Sequence, residues 1–265
     1  MNNLARWSGW FALVLIFATG TVFLSSWQFD RREDKVDRIE LVQENYYAPV
    51  STLSEATANS ELPSENEWLR VELNGNYLTE HTYLVRNRPL NGQPGFLQLV
   101  PFQTNDGQII AIERGWLPTG NQQDSPDINP FVSDTQKTIT ARLRPNEPEI
   151  SRSAPEGQIE NINLPRFEEI TGLDVQTNFY LRLAGETPEE SAYPTPMPMP
   201  RMDEGNHLSY ALQWLLFGAM AFIAFGWALR QELLYRAGKQ KAKKKDFDSE
   251  AEDSILDSAE SSAMQ

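Results

Sequence analysis

The chain has 265 residues, a formal net charge of −14 and 40% hydrophobic residues. This length suits one or two domains with a sizeable core, and the acidic balance predicts no nucleic-acid partner. Cysteine is absent, which excludes disulfides, thiolate zinc sites and thiol catalysis. No catalytic or nucleotide-binding motif is recognisable in the sequence, so we do not expect an enzyme.

The first predicted element is an uncharged, mainly apolar run between Arg6 and Asp30. As a helix, residues 7–29 would reach roughly 34 Å at about 1.5 Å per residue, which is enough to cross the core of a bilayer. A cleaved signal peptide with its site near Gly20 is the alternative interpretation. Apolar residues continue past that site to Trp27, which favours an uncleaved transmembrane helix. Mixed charges after Asp30 predict that the helix continues beyond the membrane.

Six short segments rich in Val, Ile, Leu and aromatic residues follow, and several alternate apolar with polar residues, as strands do. They are residues 68–73, 82–87, 96–102, 108–116, 137–143 and 179–185. Turn-forming sequences separate many of them: Asn74-Gly75, Asn91-Gly92, Asn105-Asp106-Gly107 and Gly120-Asn121. We therefore predict an antiparallel, mainly-β domain over residues 30–206, either a barrel or a sandwich.

Three local patterns refine this domain. Asn105-Asp106-Gly107 predicts a hairpin between its flanking strands, and residues 164–172 predict a short helix. His81, at the start of a strand-like stretch, is interpreted as a surface or hairpin residue. Residues 193–202 alternate proline with threonine and methionine, which predicts an extended strut outside the sheet. The methionines there are potential copper(I) ligands, although a plain linker explains them as well.

A second uncharged run, from Leu208 to Leu229, predicts a transmembrane helix over residues 207–229. Basic residues crowd behind it: Arg230, Arg236, Lys239, Lys241, Lys243, Lys244 and Lys245. Such a cluster marks the cytoplasmic side, so residues 1–6 and the tail 230–265 are both predicted to be cytoplasmic. The absence of an Arg- and Ser-rich presequence favours a bacterial plasma membrane. The tail is basic and then acidic and serine-rich, which predicts disorder.

Candidate ligand-binding residues lie where the two predicted spans leave the membrane on the extracytoplasmic side. Helical spacing places His207, Tyr210 or Ala211, Trp214 and Gly218 on one face, which offers an imidazole and aromatic walls to a flat ligand. The alternative is that the aromatic residues belong to an interfacial belt and that His207 is an ordinary interfacial residue.

The first span ends with Trp27 and Arg31 on one helical face, at the membrane level of His207. Arg31 or Arg32 is a candidate partner for an anionic ligand group, because guanidinium groups pair well with carboxylates. The alternative is a membrane anchor made of an interfacial tryptophan and a neighbouring arginine.

Taken together, the motifs resemble the SURF1 family, the assembly factors of haem-copper cytochrome c oxidase. The matching stretches are WQxxR from Trp27, GNY from Gly75, VRNR from Val85, ERGWLP from Glu113 and NHLxYxxQW from Asn206. Two departures stand out. Ser25 and Ser26 occupy positions where the family usually has glycine, and Phe167 stands where tryptophan is more familiar.

The resemblance implies a role in maturing subunit I of the oxidase, with subunit I and haem a synthase as partners beside the lipid bilayer. It implies that haem a is bound and that His207 is the ligand to the haem iron. Tyr210, Trp214, Trp27 and Arg31 are then the other cofactor-binding candidates. Two alternatives stay open, a haem-free membrane chaperone of subunit I and an unrelated envelope sensor.

We interpret the stretch Arg114-Gly115-Trp116 primarily as structural. Glycine after an apolar strand permits a bulge or tight packing, and Trp116 would fill core. A buried Arg114 would need an acidic partner, either Glu113 or a group on another chain nearby. The second interpretation is a surface that faces a partner or haem.

Overall fold

The computed structural model describes residues 3–121 and 123–263. These residues form two compact units. A helical unit contains the chain up to Val36 and from Glu204 onward, and a β unit comprises Asp37–Asp203.

Two long helices supply the helical unit, α1 (Asn3–Tyr47) as far as Val36 and α4 (His207–Ala263). The last part of α1, residues 37–47, belongs to the β unit. Each contains a stretch that is long and apolar enough to cross a membrane. Large apolar side chains on these stretches are exposed, with Ile16 at 73% and Ile223 at 71%. Exposed apolar surface on this scale is typical of helices in contact with lipid or another protein. The two helices therefore suggest membrane association.

Both helices extend beyond their apolar stretches. The continuation of α1 from Asp30 to Tyr47 confirms the prediction from its mixed charges. The continuation of α4 to Ala263 differs from the predicted disorder of residues 230–265, since the backbone is helical over 230–263. Alanine, lysine and glutamate are frequent in this tail and are strong helix formers, which favours a helix despite the polar composition.

The β unit contains eight strands and two short α-helices among the described residues. The strands are β1 Ser51–Thr52, β2 Arg70–Tyr77, β3 Tyr83–Val85, β4 Gly95–Thr104, β5 Ile109–Pro118, β6 Lys137–Pro145, β7 Gln158–Ile159 and β8 Phe179–Thr187. The helices are α2 Leu53–Ala56 and α3 Leu164–Thr171. All six predicted strands are confirmed. Strands β1 and β7 were missed, because two residues are too few to show a periodic pattern.

The strands form one mixed sheet in the order β1-β2-β6-β8-β5-β4-β3-β7, and β2 also pairs with β4. The pairs β1–β2, β3–β7 and β5–β8 are parallel. The prediction of an antiparallel barrel or sandwich is therefore corrected to an eight-stranded mixed sheet, which is not a clear barrel. Parallel neighbours need long connections, and between β5 and β8 the chain forms β6, β7 and α3.

Asn74-Gly75 was predicted as a turn, but both residues lie inside β2. Gly75 pairs with Lys137 on one side and with Thr104 on the other. A Cβ at Gly75 would lie 2.0 Å from the backbone oxygen of Gln103. Glycine is needed here because the backbones of two neighbouring strands approach the same residue. Asn-Gly is also a common turn sequence, so the sequence alone does not distinguish a turn from this crowded strand.

The hairpin and the short helix are confirmed. Strands β4 and β5 are joined through a turn in which Gly107 has φ of +93°. At the start of α3, the side chain of Asn163 accepts a hydrogen bond from the Arg166 backbone N–H at 3.0 Å. At its end, Gly172 adopts a left-handed conformation with φ of +68°.

Two hydrophobic clusters hold the β unit together. One gathers residues from β2, β4, β5, β6 and β8, including the fully buried Phe102 and Ile139. The other contains Leu99 and α3, where Phe167 is fully buried and meets Tyr83 edge-on at 5.6 Å between ring centroids. Phe167 therefore serves as a core residue.

The proline-rich segment 193–202 joins the sheet at one residue. The backbone of Thr195 donates to the Trp116 carbonyl at 2.8 Å and accepts from the Trp116 N–H at 2.7 Å. Thr195 lies between Pro194 and Pro196, so it supplies an N–H group that its neighbours lack. The predicted strut outside the sheet is corrected at this point. Met197 packs against the cluster around α3, which gives it a structural role.

Candidate functional site

The stretch Arg114-Gly115-Trp116 forms a β-bulge in β5. Gln98 of β4 pairs with Gly115 and Leu99 pairs with Glu113, so Arg114 is the extra residue. Gly115 has φ of +146°, and a Cβ there would lie 2.7 Å from the Thr195 carbonyl oxygen. The predicted bulge and tight packing are both confirmed.

Trp116 connects this bulge to the VRNR stretch. Its side chain is buried, and its Nε1–H donates to the Arg88 carbonyl oxygen at 2.6 Å. Arg88 is itself ion-paired with Glu147. The two family motifs therefore contact each other, and both stabilise the β unit.

Arg114 is buried, but its acidic partner is Glu186 of β8 and not Glu113. The Arg114 and Glu186 side chains are both 0% exposed and lie 3.2 Å apart, from Nη2 to Oε1. Tyr77 donates to the same carboxylate at 2.8 Å. Burial, and then the charge of Glu186, raise the pKa of Tyr77 well above its usual value.

Glu113 pairs with a different arginine, since it accepts a hydrogen bond from Arg182 Nε at 2.9 Å. Adjacent residues of a strand face opposite sides, which sends Glu113 away from the environment of Arg114. The predicted pairing with Glu113 was therefore wrong, and the VRNR, RGW and GNY motifs all have structural roles in the β unit.

The predicted site at the ends of the helices lies in the helical unit, where α1 and α4 pack closely. The Ser25 hydroxyl donates to the Ala211 carbonyl oxygen at 3.0 Å. A Cβ at Gly218 would lie 2.7 Å from Thr21 Oγ1. Small residues such as Ser25 and Gly218 allow this close approach.

His207 lies at the first turn of α4 and contacts α1 through Gln28. The distance between His207 Nδ1 and Gln28 Oε1 is 2.8 Å. An amide oxygen only accepts hydrogen bonds, so Nδ1 carries the proton in this pairing. In the neutral ring the free electron pair is then on Nε2, which has no hydrogen-bond partner within the described part of the chain.

The other predicted site residues lie on α1 and on α4. Trp27 and Arg31 lie on one face of α1, with the Arg31 guanidinium 6.0 Å from the Trp27 ring centroid, as their spacing predicts. Tyr210 is 50% exposed, whereas the neighbouring Ala211 is buried against α1. Trp214 is half-buried and meets Phe217 edge-on.

The contact between Gln28 and His207 was not predicted from the sequence, although Gln28 belongs to the WQxxR motif. Its role depends on the register between two helices that are far apart in sequence. Among the residues that the structure describes, no group of three or more His, Asp or Glu side chains is placed to hold a metal ion.

The imidazole and guanidinium groups that this chain presents have the chemistry needed to hold a haem. A neutral imidazole with a free Nε2 is a suitable axial ligand for haem iron, and a hydrogen bond on Nδ1 is the usual way of orienting such a ligand. Arg31 is exposed and close to an exposed indole, where it is available to a carboxylate.

Comparison with known proteins agrees with these motifs. The SURF1 family model matches residues 15–219. An uncharacterized SURF1-like protein from Mycobacterium tuberculosis (strain H37Rv) is 30% identical over 242 residues, which cover 86% of each chain. A SURF1-like protein from Rickettsia conorii is 26% identical over 76% of this chain and 83% of the relative.

A shorter match is to a relative whose name states a function. The cytochrome oxidase assembly protein SHY1 of Saccharomyces cerevisiae is 29% identical over 119 residues, which are 43% of this chain and 30% of the yeast protein. The family match begins within α1, spans the whole β unit and ends within α4. The chain belongs to the SURF1 family.

Proposed function

We propose that this protein is an assembly factor for haem-copper cytochrome c oxidase, which holds haem a through His207 and presents it for insertion into subunit I. The observation that carries the proposal is the hydrogen bond from His207 Nδ1 to Gln28, which leaves Nε2 available to iron. Membership of the SURF1 family and the yeast relative's name support the assembly role. Subunit I and haem a synthase are the proposed partners.

The helix packing restricts where a porphyrin would lie. Ser25 and Ala211 are in hydrogen-bond contact, so a flat ring has no space between the helices at that level. We infer that His207 would hold the haem iron through Nε2, outside this close contact. Tyr210, Trp214 and Trp27 offer aromatic surface there, and Arg31 offers a cation to the carboxylates.

We also propose that both helices cross a bacterial plasma membrane with both termini in the cytoplasm. Ion pairs stand at the two ends of the apolar stretches, Arg32 with Glu204 at 2.7 Å and Arg6 with Glu232 at 2.9 Å. The basic residues after Leu229 support a cytoplasmic tail.

This topology predicts opposite accessibility for two cysteines introduced singly into the cysteine-free chain. With an impermeant thiol reagent on intact cells, Asn105→Cys should be labelled and Ser258→Cys should not. After lysis both should be labelled, which controls for reactivity. Labelling of Ser258→Cys alone on intact cells contradicts the topology.

A haem-free chaperone is the second candidate, and one observation favours it. Many large apolar side chains of α1 and α4 are exposed, including Phe23 and Trp227. Such a surface is suited to packing against the transmembrane helices of subunit I during assembly.

Deletion of the gene tests the assembly role that both candidates share. Membranes of the deletion strain should have reduced cytochrome c oxidase activity and reduced haem a absorbance, while other respiratory complexes persist. The wild-type gene should restore both, and so should His81→Ala, whose histidine lies in the β unit. Unchanged oxidase in the deletion strain under all growth conditions contradicts the assembly role.

A further inference from the structure

Three arginines stand in a row across adjacent strands of the β unit. Arg70 of β2 pairs with Arg142 of β6, and Arg142 pairs with Arg182 of β8. Directly opposite residues in antiparallel strands have Cβ atoms about 4.5–5.5 Å apart, and like charges at that spacing are destabilising. A sheet that keeps such a row needs negative charge to neutralise it.

Among the residues that the structure describes, an acidic side chain pairs with one end of this row. Arg182 is paired with Glu113 at 2.9 Å. Arg70 donates from Nε and Nη2 to the Ala48 carbonyl oxygen, at 3.1 and 2.7 Å, and that group carries no net charge. Arg142 lies between the other two. Within the described residues neither Arg70 nor Arg142 has an acidic partner, so two positive charges remain uncompensated.

Arg142 is held in place by stacking, but its buried Nε–H group makes no hydrogen bond. Its guanidinium lies 3.7 Å from the ring centroid of Tyr46, and its buried Nε has no hydrogen-bond partner. Burial, together with the charges of Arg70 and Arg182, lowers the pKa of Arg142, although Tyr46 opposes the shift. The stacked guanidinium is therefore pre-oriented, with donor groups still to be used.

A cleft of about 390 Å³ opens at these two arginines. Its lining includes Tyr46, Arg70, Thr140, Arg142, Leu183 and Met197. The cleft has two cationic groups and the hydroxyls of Tyr46 and Thr140, while leucine and methionine form an apolar wall. This volume falls in the range of small-molecule sites.

We propose that this cleft binds the phosphate group of a small ligand between Arg70 and Arg142. A phosphate monoester or inorganic phosphate carries about −1.5 to −2 at pH 7, which matches two uncompensated guanidinium groups better than a single carboxylate does. Arginine presents paired N–H donors to phosphate oxygens, and the Thr140 hydroxyl is a further donor at the same cleft. The site lies within the β unit and is independent of haem binding at His207.

Thermal unfolding of the full-length protein in a neutral detergent tests this site. Inorganic phosphate, short-chain phosphatidylglycerol and chloride are added at equal ionic strength. Phosphate should raise the unfolding midpoint in a saturable way, because a ligand that binds the folded state stabilises it. In Arg142→Gln the apparent affinity should fall at least tenfold, whereas Arg152→Gln, which removes the same charge from an exposed position, should behave as wild type.

The arms of the experiment separate the sources of the phosphate group. A response to phosphatidylglycerol that exceeds the response to phosphate, and is lost in Arg142→Gln, assigns the cleft to a lipid headgroup. If Arg142→Gln does not fold, Arg70→Gln removes the other guanidinium and should show the same loss of affinity. Equal responses in wild type and the folded arginine variant, or no response beyond that to chloride, overturn the proposal.

Discussion

Glu186→Ala is expected to destabilise the β unit by roughly 3–5 kcal/mol, the usual cost of removing one partner of a buried ion pair. Arg114 and Glu186 are completely buried, and the same carboxylate accepts the Tyr77 hydroxyl. Lys137 lies 3.6 Å away but retains Glu190 at 2.9 Å, so the cost falls mainly on Arg114 and Tyr77. For a domain of this size the unfolding midpoint should fall by on the order of 10 °C.

Thermal unfolding monitored by circular dichroism measures this effect, and Glu189→Ala is the matched control. Glu189 is an exposed carboxylate on the same segment, and its removal should shift the midpoint little. Glu186→Gln should be less destabilising than Glu186→Ala, because the amide oxygen still accepts from Tyr77. Equal midpoints for the Glu186→Ala and Glu189→Ala proteins contradict this role of Glu186.

His207→Ala is expected to abolish the haem spectrum of the purified protein without preventing folding. The substitution removes the imidazole that we propose as the iron ligand, while the close helix contacts at Ser25 and Gly218 remain. Gln28→Ala should have a smaller effect, since loss of the group that orients a metal ligand typically weakens binding by about 10- to 100-fold. Visible absorption spectra, normalised to protein, measure both.

His81→Ala is the matched control for this series, because it removes the second histidine of the chain, which lies in a three-residue 3₁₀ helix (Thr79–His81) of the β unit. Its spectrum should equal that of wild type. If His207→Ala also retains the wild-type spectrum, His207 is not the ligand, and the haem-free chaperone becomes the better account.

Local patterns predicted most of the β unit. Alternation identified every strand that is longer than two residues. The short helix predicted over residues 164–172 matches α3, with Gly172 directly after its end. Strand order and direction could not be predicted in the same way, because they depend on pairing between distant segments. Asn74-Gly75 shows the limit of local reasoning, since glycine serves a turn and a crowded strand equally well.

Charge pairing was the least predictable feature. Glu113 is adjacent to Arg114 in sequence, yet a bulge and the alternation of side chains place them in different environments. The true partner, Glu186, comes from a strand that follows two intervening strands and α3. The row of arginines likewise arises only from the register of β2, β6 and β8.

The candidate site in the helices was partly predictable. Helical spacing placed His207, Tyr210 or Ala211, and Gly218 on one face, and the structure shows that Ala211 is the residue in contact with α1. The hydrogen bond between His207 and Gln28 joins residues 179 positions apart, so it requires the register of one helix against the other. Periodicity within a single helix holds no information about that register.

The visible absorption spectrum of the wild-type protein, purified from cells that make haem a, tests the central claim most directly. We predict a haem a spectrum that persists through purification in detergent, in proportion to the protein recovered. A wild-type protein that is folded, restores oxidase activity in the deletion strain and yet carries no haem a, even after incubation with haem a, contradicts the claim that it holds haem for insertion into subunit I.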